Sequence, residues 1–288
     1  MVEPGSNVTR TVLVAGHESA DGDDLRFLEQ GRPEWFVSPI GRPLHNLVSR
    51  LSKADSAPIV VVPMTLGRNP TLVSDTAKTL RWLEAGAPGR LALSEPFGGA
   101  DHLIAWLRLA ATRIRQRSPD AAIVVQAPAS DPFDDAELHR VAHLVRTHGA
   151  GNVVEVATTR APDDLFEVLQ RLRLLGHPRI VVVPAGFRRE SPITLGDSRF
   201  TDCEFYGPLM SEQAMIRIID ARTREALHEL SHGSTGVDAG LMADHGYGYA
   251  HSHAVDDSSG SGHGHGHGHH SHRDDERGHA LPATASSH

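Results

Sequence analysis

The sequence is poor in cysteine, in long apolar runs and in lysine, and the first two shortages each argue against a class of protein. Its single cysteine, Cys203, cannot form an internal disulfide, which makes a cytoplasmic location the expectation. No apolar run reaches the roughly 18 residues of a membrane-spanning helix, so no membrane contact is expected. The first ten residues, MVEPGSNVTR, have neither the basic start nor the apolar stretch of a signal peptide.

The net charge is negative, and arginine supplies nearly all of the positive charge. A net charge of −8 argues against a general nucleic-acid-binding protein. Residues 233–288 hold seven acidic and two basic residues, so this segment supplies −5 of the total. Lys53 and Lys78 are the only lysines. Guanidinium groups bind carboxylates through paired hydrogen bonds, which favours a polycarboxylate ligand, although a codon bias produces the same composition.

The sequence contains an internal duplication. PIVVVPMTL at 58–66 matches PRIVVVPAGF at 178–187, and VLVAGHESAD at 12–21 has the same place as IVVQAPASDP at 123–132. Two matches in the same order indicate two copies of one domain. The pair Pro119-Asp120 is the predicted boundary between the copies.

Both halves alternate short β-branched apolar strands with helical segments. This alternation is typical of a parallel sheet with helices on both faces. We therefore predict an α/β fold with two similar domains, residues 1–118 and 119–232, each built on a small parallel sheet. The predicted strands lie near residues 11–16, 34–38, 58–63, 90–94, 121–126, 152–157, 179–184 and 201–205.

The last segment, residues 233–288, has a different composition, dominated by Gly, Ser, Asp and His. It contains eleven of the twenty histidines and too little apolar surface to fold alone, so we predict disorder. Imidazoles on a flexible backbone bind Ni²⁺, Co²⁺, Cu²⁺ or Zn²⁺, which predicts metal storage or delivery. A purification tag is the alternative, but the spacing is irregular. The predicted tail ligands are His263, His265, His267, His269, His270 and His272.

The first predicted strand, in TVLVAGHES (11–19), ends at a histidine, His17. Ligands of open parallel α/β sheets bind beyond the carboxyl ends of the strands, where loops 65–75 and 95–102 should also open. His17 is thus either a metal ligand and proton acceptor or an ordinary loop histidine, and His102 is either a second ligand or a helix-start residue. The second half has Pro128 in the place of His17, which indicates one active copy and one supporting copy.

These motifs together resemble the CbiX-type sirohydrochlorin chelatases, class II tetrapyrrole chelatases, in their two-domain long form. Gly16-His17-Glu18-Ser19 resembles the GHGS-like motif of the family, VVVPMTLGRNPTLVSDT its VVVP-x-x-L segment, and EPFGGADHL its P-L-G turn. The similarity extends over about residues 11–230. In two places the chain departs from the family: Thr71 stands where a second histidine is usual, and Glu18 replaces a glycine.

The resemblance implies two chelatase-like domains, with His17 taking part in metal insertion. The missing second histidine means lost activity, a replacement such as Glu18, Asn69 or His102, or another metal or macrocycle. Glu18 could pass protons to solvent, unless it is merely a solvated loop carboxylate. The resemblance also implies arginines at the rim, because the macrocycle carries eight carboxylates. The expected residues are His17 and Glu18 for catalysis, His17 and His102 for metal, and Ser19, Arg42, Arg68, Asn69, Arg188 and Arg189 for substrate.

The expected activity is insertion of a divalent ion into sirohydrochlorin by a monomer without an organic cofactor. Co²⁺ is the favoured substrate ion, with Ni²⁺ and Fe²⁺ as the other candidates, because ligand type alone does not choose among these metals. Two functions remain in competition. Retention of His17 favours a chelatase, whereas Thr71 favours a non-catalytic carrier of metal or tetrapyrrole descended from one.

Overall fold

The computed structural model describes residues 8–193 and 197–243 of the chain. The chain divides into one unit from Met1 to Tyr249 and another from Ala250 to His288, and the second lies outside the described residues. The predicted tail ligands between His263 and His272 therefore lie outside them as well, and the boundaries at 118 and 232 stay predictions. Among the described residues, no helix has the length and apolar character needed to cross a membrane.

Eight parallel strands form two four-stranded sheets, which confirms the predicted α/β class. The first sheet has the order β2-β1-β3-β4, and the second has the equivalent order β6-β5-β7-β8. Both central IVVVP strands, β3 and β7, are buried over their whole length, as a parallel sheet covered on both faces requires. The strands are β1 (Arg10–Ala15), β2 (Trp35–Pro39), β3 (Ile59–Pro63), β4 (Leu91–Leu93), β5 (Ala122–Pro128), β6 (Val154–Thr159), β7 (Ile180–Pro184) and β8 (Cys203–Phe205).

Helices cover the sheets, and two of them contact the opposite half of the chain. They are α1 (Arg42–Ala54), α2 (Pro70–Leu83), α3 (Ala100–Arg117), α4 (Pro132–His148), α5 (Pro162–Leu174), α6 (Glu212–Ser231) and α7 (Val237–Leu241), with 3₁₀ segments at His17–Glu29, Glu84–Gly86 and Ser198–Phe200. Helix α3 contacts α4 and β7 of the second half, while α6 contacts β3 and β4 of the first. One hydrophobic cluster accordingly includes inner residues of both sheets, such as Val62 and Val183.

The hydrogen-bonded register gives the true equivalence of the two halves. Val14 pairs with Pro63 and Gln126 pairs with Pro184, so Val14 and Gln126 occupy the same place. Three residues further on, His17 is matched by Ala129. The prediction that Pro128 matches His17 is therefore wrong by one residue, because matching sequence letters does not reproduce the strand pairing. The second half still lacks a histidine at this position.

The prediction of disorder from Gly233 onward does not hold for helix α7. Val237 is fully buried, and α7 contacts α2 on the outer face of the first sheet. Leu93 N donates a hydrogen bond to Thr235 O at 2.8 Å, which fixes the connection into α7. The first unit thus extends beyond His232, and the few apolar residues of this stretch, such as Val237 and Leu241, are a weak sequence signal for such a helix.

Candidate functional site

The carboxyl ends of the strands of both sheets meet around His17. His17 lies two residues beyond β1, and the loop after β3 brings Arg68 and Asn69 to the same edge. A bridge between Leu66 and Gly98 joins the loops after β3 and β4, as expected of neighbouring parallel strands. The loop after β5 in the second half brings Ser130 against His17. The candidate site is therefore formed by both halves, although the histidine belongs to one.

Polar side chains lie near both ring nitrogens of His17. Asn69 Nδ2 lies 3.1 Å from His17 Nδ1, and Ser130 Oγ lies 3.3 Å from the same atom. An amide nitrogen can only donate, so Nδ1 accepts and the neutral ring carries its proton on Nε2. The Asp134 Oδ2 atom lies 3.7 Å from Nε2, which is too far for a hydrogen bond. Within the described part of the chain, Nε2 is buried and has no hydrogen-bond partner.

Asn69 is held in place by the start of helix α2. It is the N-cap, and its Oδ1 accepts from Leu72 N at 3.0 Å and from Thr71 Oγ1 at 2.9 Å. Because both bonds use the oxygen, the amide nitrogen is left to face His17. Thr71, which stands where the resembled family has its second histidine, thus orients the residue that contacts the first one.

Asp134 is the carboxyl group that the second half presents to His17. It lies in the first turn of α4, whose N-cap, Asp131, accepts hydrogen bonds from Phe133 N at 2.8 Å and Asp134 N at 3.1 Å. Ser130 Oγ donates to Asp134 Oδ2 at 3.1 Å. Burial, followed by the negative charge of Asp131, raises the pKa of Asp134 to about 7. Near neutral pH this carboxyl group both releases and accepts protons.

His17 is neutral at that pH, so the short distance to Asp134 is not an ion pair. Burial lowers the pKa of His17 to about 4, with a further contribution from the positive charge of Arg68. The side chain is 17 % exposed. A partly buried neutral imidazole beside a carboxyl group that titrates near neutrality is typical of sites that exchange protons or bind metal ions.

Glu18 is buried, contrary to the expectation that it meets solvent. The residue is 2 % exposed, and its carboxylate accepts from Thr65 Oγ1 and, at 3.0 Å, from Leu66 N. Burial raises its pKa even though the charge of Arg68 opposes the shift. Among the described residues this carboxylate is enclosed, and its contacts anchor the loop after β3. The catalytic role of Glu18 stays a prediction.

Glu18 and Arg68 also connect the two halves. Arg68 is fully buried, with Nη1 3.5 Å from Ala185 O and Nη2 4.0 Å from an oxygen of Asp135. Phe187 N donates to Glu18 O at 3.1 Å. A Cβ atom on Gly186 would lie 2.5 Å from that same oxygen, so only glycine permits this approach. Arg68 therefore acts on the site through its charge from beneath the surface.

The other predicted residues have different surroundings, His102 lining one cavity with Asn69, and their roles stay predictions. Ser19 is buried and donates to Gly16 O at 3.2 Å, and His102 Nδ1 accepts from Gly99 N at 3.1 Å at the start of α3. Arg42 is exposed at the start of α1, Arg188 lines a cavity of about 220 Å³ in the second half, and Arg189 lies over the ring of Phe27 at 4.2 Å. In residues 8–193 and 197–243, no three His, Cys, Asp or Glu side chains are arranged to hold a metal ion.

Sequence reasoning missed Ser130, Asp131 and Asp134. The run SDPFDD has the signature of a helix start, with an aspartate N-cap followed by proline at the first helical position. That signal locates the carboxylates at a strand-to-helix loop. Their closeness to His17 depends on how the two sheets pack, and no local pattern encodes it.

Comparison with known proteins supports the fold. No protein-family model matches the sequence, and no curated protein matches it either. SirB from Bacillus subtilis with Fe³⁺ matches at a TM-score of 0.52 and 15 % identity, over 79 % of this chain and 99 % of that one. The described chain has a SirB-like fold.

Two further structures are more distant in shape. The sirohydrochlorin chelatase SirB from Bacillus subtilis subspecies spizizenii, in complex with cobalt, matches at a TM-score of 0.46 and 15 % identity, over 79 % of this chain and 99 % of that one. A periplasmic sugar-binding protein of an ABC transporter from Legionella pneumophila matches at 0.35 and 8 % identity, over 61 % and 70 % of the two chains.

The two roles of Asn69 can be separated by substitution. Asn69→Ala should lower the free energy of unfolding by about 1 kcal/mol, because the N-cap of α2 is lost, whereas Asn69→Asp retains a capping oxygen. Both changes remove the amide donor from His17 Nδ1, and with aspartate we expect the neutral ring to move its proton to Nδ1. Urea unfolding measures the first effect, and imidazole ¹⁵N chemical shifts measure the second.

The surface pair His45 and Asn46 provides the control for this prediction. His45 Nδ1 lies 3.5 Å from Asn46 Oδ1 on the exposed face of α1, so Asn46→Asp should change neither the stability nor the His17 tautomer. An unchanged His17 tautomer in Asn69→Asp would contradict the assignment of Asn69 as the residue that orients the ring.

Proposed function

We propose that this protein is a metal chelatase that inserts a divalent ion, foremost Co²⁺, into sirohydrochlorin. The observation that carries the proposal is the pair formed by His17 and Asp134 at the rim of a chelatase-like fold. A neutral imidazole and a carboxyl group with a pKa of about 7 lie 3.7 Å apart, one from each half. We also propose a cytoplasmic location for this reaction, because its substrates are a soluble macrocycle and metal ions.

The reaction needs a ligand for the incoming ion and an acceptor for protons. A tetrapyrrole binds a divalent ion only after its two inner N–H protons have left. Neutral imidazole binds borderline ions such as Co²⁺, Ni²⁺ and Fe²⁺, and Asp134 accepts a proton at neutral pH. If an ion lay about 2.1 Å from both Nε2 and Oδ2, the 3.7 Å between these two atoms would give an angle of roughly 120° at the ion.

Binding of the ion through Nε2 requires the ring proton to move to Nδ1, and the Asn69 amide nitrogen, 3.1 Å away, must then turn aside because two donors cannot face each other. Ser130 Oγ lies 3.3 Å from Nδ1. Because the Ser130 hydroxyl already donates its hydrogen to Asp134, its oxygen can accept a hydrogen bond from a protonated Nδ1. Because Nε2 is covered, the ion reaches it only when the surrounding side chains open locally. Two protein ligands hold an ion loosely, which suits its transfer to the four nitrogens of the macrocycle.

A metal carrier is the less favoured function for the described part of the chain. A carrier must retain its ion during diffusion, which takes a more complete set of protein ligands than a transfer site needs. Residues 8–193 and 197–243 hold no arrangement of three such ligands. A protein that carries the macrocycle rather than the metal can be distinguished from a chelatase by experiment.

The test is anaerobic insertion of Co²⁺, Ni²⁺ and Fe²⁺ into sirohydrochlorin, followed by absorbance. The full chain is compared with a chain ending at Tyr249, because a cut at His232 would remove α7, and with metal and macrocycle alone. We expect both chains to accelerate insertion, with Co²⁺ fastest. Binding of the macrocycle without acceleration would contradict the chelatase and establish the carrier.

A further inference from the structure

A cavity of about 220 Å³ lies at the carboxyl ends of the strands of the second sheet. The ends of β5 and β6 and the loop after β7 line it, through Pro128, Thr159 and Pro192 among others. From β5 the chain leads to β6 on one side of the sheet, and from β7 it leads to β8 on the other. Open parallel α/β sheets bind their ligands where the strand order reverses in this way. The cavity is therefore at a place that the fold favours for a ligand.

Gln126 lines this cavity and has a buried oxygen without a partner. The residue is 2 % exposed, and its Oε1 accepts no hydrogen bond within the described part of the chain. Thr159 orients the amide, because its hydroxyl donates to Ala127 O at 3.3 Å and its oxygen then accepts from Gln126 Nε2 at 2.9 Å. The strand register places Val14 at the equivalent position of the first half. An acceptor that lowers the stability of an otherwise apolar strand indicates a ligand that donates a hydrogen bond.

Two arginines supply the charge of the cavity. Arg160 and Arg188 both line it, and among the described residues no carboxylate forms an ion pair with either of them. The half-buried Arg188 also has an Nε without a hydrogen-bond partner in the described ranges. Asp24 is within electrostatic reach of Arg188, and Asp164 of Arg160, but neither acid lines the cavity. The described lining thus has two positive charges and no negative one, which favours an anion.

The side chains, rather than the start of helix α5, have to hold this anion. Asp164 already accepts from Arg160 N at 2.6 Å and from Ala161 N at 3.0 Å. These amides are the donors that a helix start would otherwise offer to an anion. Guanidinium groups bind carboxylates through paired hydrogen bonds. Two of them in one cavity therefore match a ligand with two carboxylates better than a ligand with one.

We propose that this cavity binds a small hydroxy dicarboxylate. The two carboxylates face Arg160 and Arg188, and the hydroxyl group donates to Gln126 Oε1. The carbon chain lies against Leu165, which is buried and lines the same cavity. The volume is below the roughly 300 to 1,000 Å³ of sites for drug-sized ligands, so the ligand has to be small. The candidate site around His17 takes no part, and the inference does not depend on the proposed function.

Isothermal titration calorimetry of the full chain in metal-free buffer tests this site. Malate is the probe, and succinate, which lacks the hydroxyl group, is the matched comparison. We expect one malate per chain, bound about tenfold more tightly than succinate. Gln126→Met should remove this preference and leave succinate binding unchanged, because methionine fills a similar space without the acceptor. Arg160→Gln and Arg188→Gln should each weaken malate binding by roughly tenfold or more.

Arg117→Gln is the matched control. Arg117 is an exposed arginine at the end of α3, which leads into the start of β5 and thus lies at the opposite edge of the sheet. This change should leave malate binding unaltered, and thermal melts should show all variants folded. Because Arg160 is exposed, Arg160→Gln tests the site even if Arg188→Gln unfolds.

Three results would overturn the proposal. The first is a parent chain that does not bind malate, and the second is malate binding that survives both arginine substitutions. The third is equal affinity for malate and succinate, which would remove the role of Gln126. Inorganic phosphate that binds more tightly than malate would replace the dicarboxylate by a phosphate ligand. Sirohydrochlorin that displaces malate would instead assign the cavity to the macrocycle.

Discussion

Replacing His17 by alanine is expected to lower the rate of metal insertion by about 10²- to 10⁴-fold, the range typical of a lost acid–base or ligand group. The substitution removes the imidazole that faces Asp134 at 3.7 Å and leaves the rest of the rim in place. His17 is only partly buried, so the fold should survive. Initial rates of Co²⁺ insertion into sirohydrochlorin, with circular dichroism to verify folding, measure the effect.

His45→Ala is the control for this result. His45 is exposed on α1 and outside the candidate site, so its loss should leave the rate within twofold of the parent chain. If His17→Ala and His45→Ala insert metal equally fast while the parent accelerates the reaction, the chelatase stands but His17 has no part in it. Asp134 and Ser130 would then be the next residues to substitute.

Asp134→Asn is expected to make the protein more stable at pH 8 and less active. The folded protein raises the pKa of Asp134 from its ordinary 3.8 to about 7. Between these values the folded chain holds a proton that the unfolded chain has lost. The stabilising contribution of Asp134 is therefore fully present below pH 4 and is lost as the pH rises through 7, by up to about 4 kcal/mol. Asparagine remains neutral and avoids this loss.

The measurement is urea unfolding of the parent and Asp134→Asn between pH 4 and 8. The difference in the free energy of unfolding should grow in favour of the variant as the pH rises. His17 contributes the opposite dependence, because its lowered pKa of about 4 destabilises the fold as the pH falls below 6.5. Because the two side chains lie 3.7 Å apart, this contribution is present in both proteins but does not cancel completely in the difference.

Asp120→Asn, an exposed change in the turn between α3 and β5, should show no such pH dependence. Insertion rates complete the comparison, because a proton acceptor that costs stability is retained where it serves a reaction. A variant that is destabilised at pH 8, or one with the full insertion rate, would contradict the role given to Asp134.

The sequence by itself determined the elements and the location of the rim. Apolar β-branched runs such as IVVVP can be buried only as central strands, and helical periodicity between them implies a parallel sheet with covered faces. Because parallel strands end at one edge, His17 could be placed there from its position after β1 alone. The duplication could also be recognised from the sequence, since two copies of one fold need similar apolar strands at their centres.

Only the tertiary structure decided what surrounds His17. Ser130 and Asp134 are more than a hundred residues away along the chain, and they reach the imidazole because the carboxyl ends of both sheets meet. This packing buries Glu18, and the same burial lowers the pKa of His17 and raises the pKa of Asp134. The same packing left Arg68 beneath the rim. Local sequence patterns record neighbours along the chain, whereas proton affinity depends on neighbours in space.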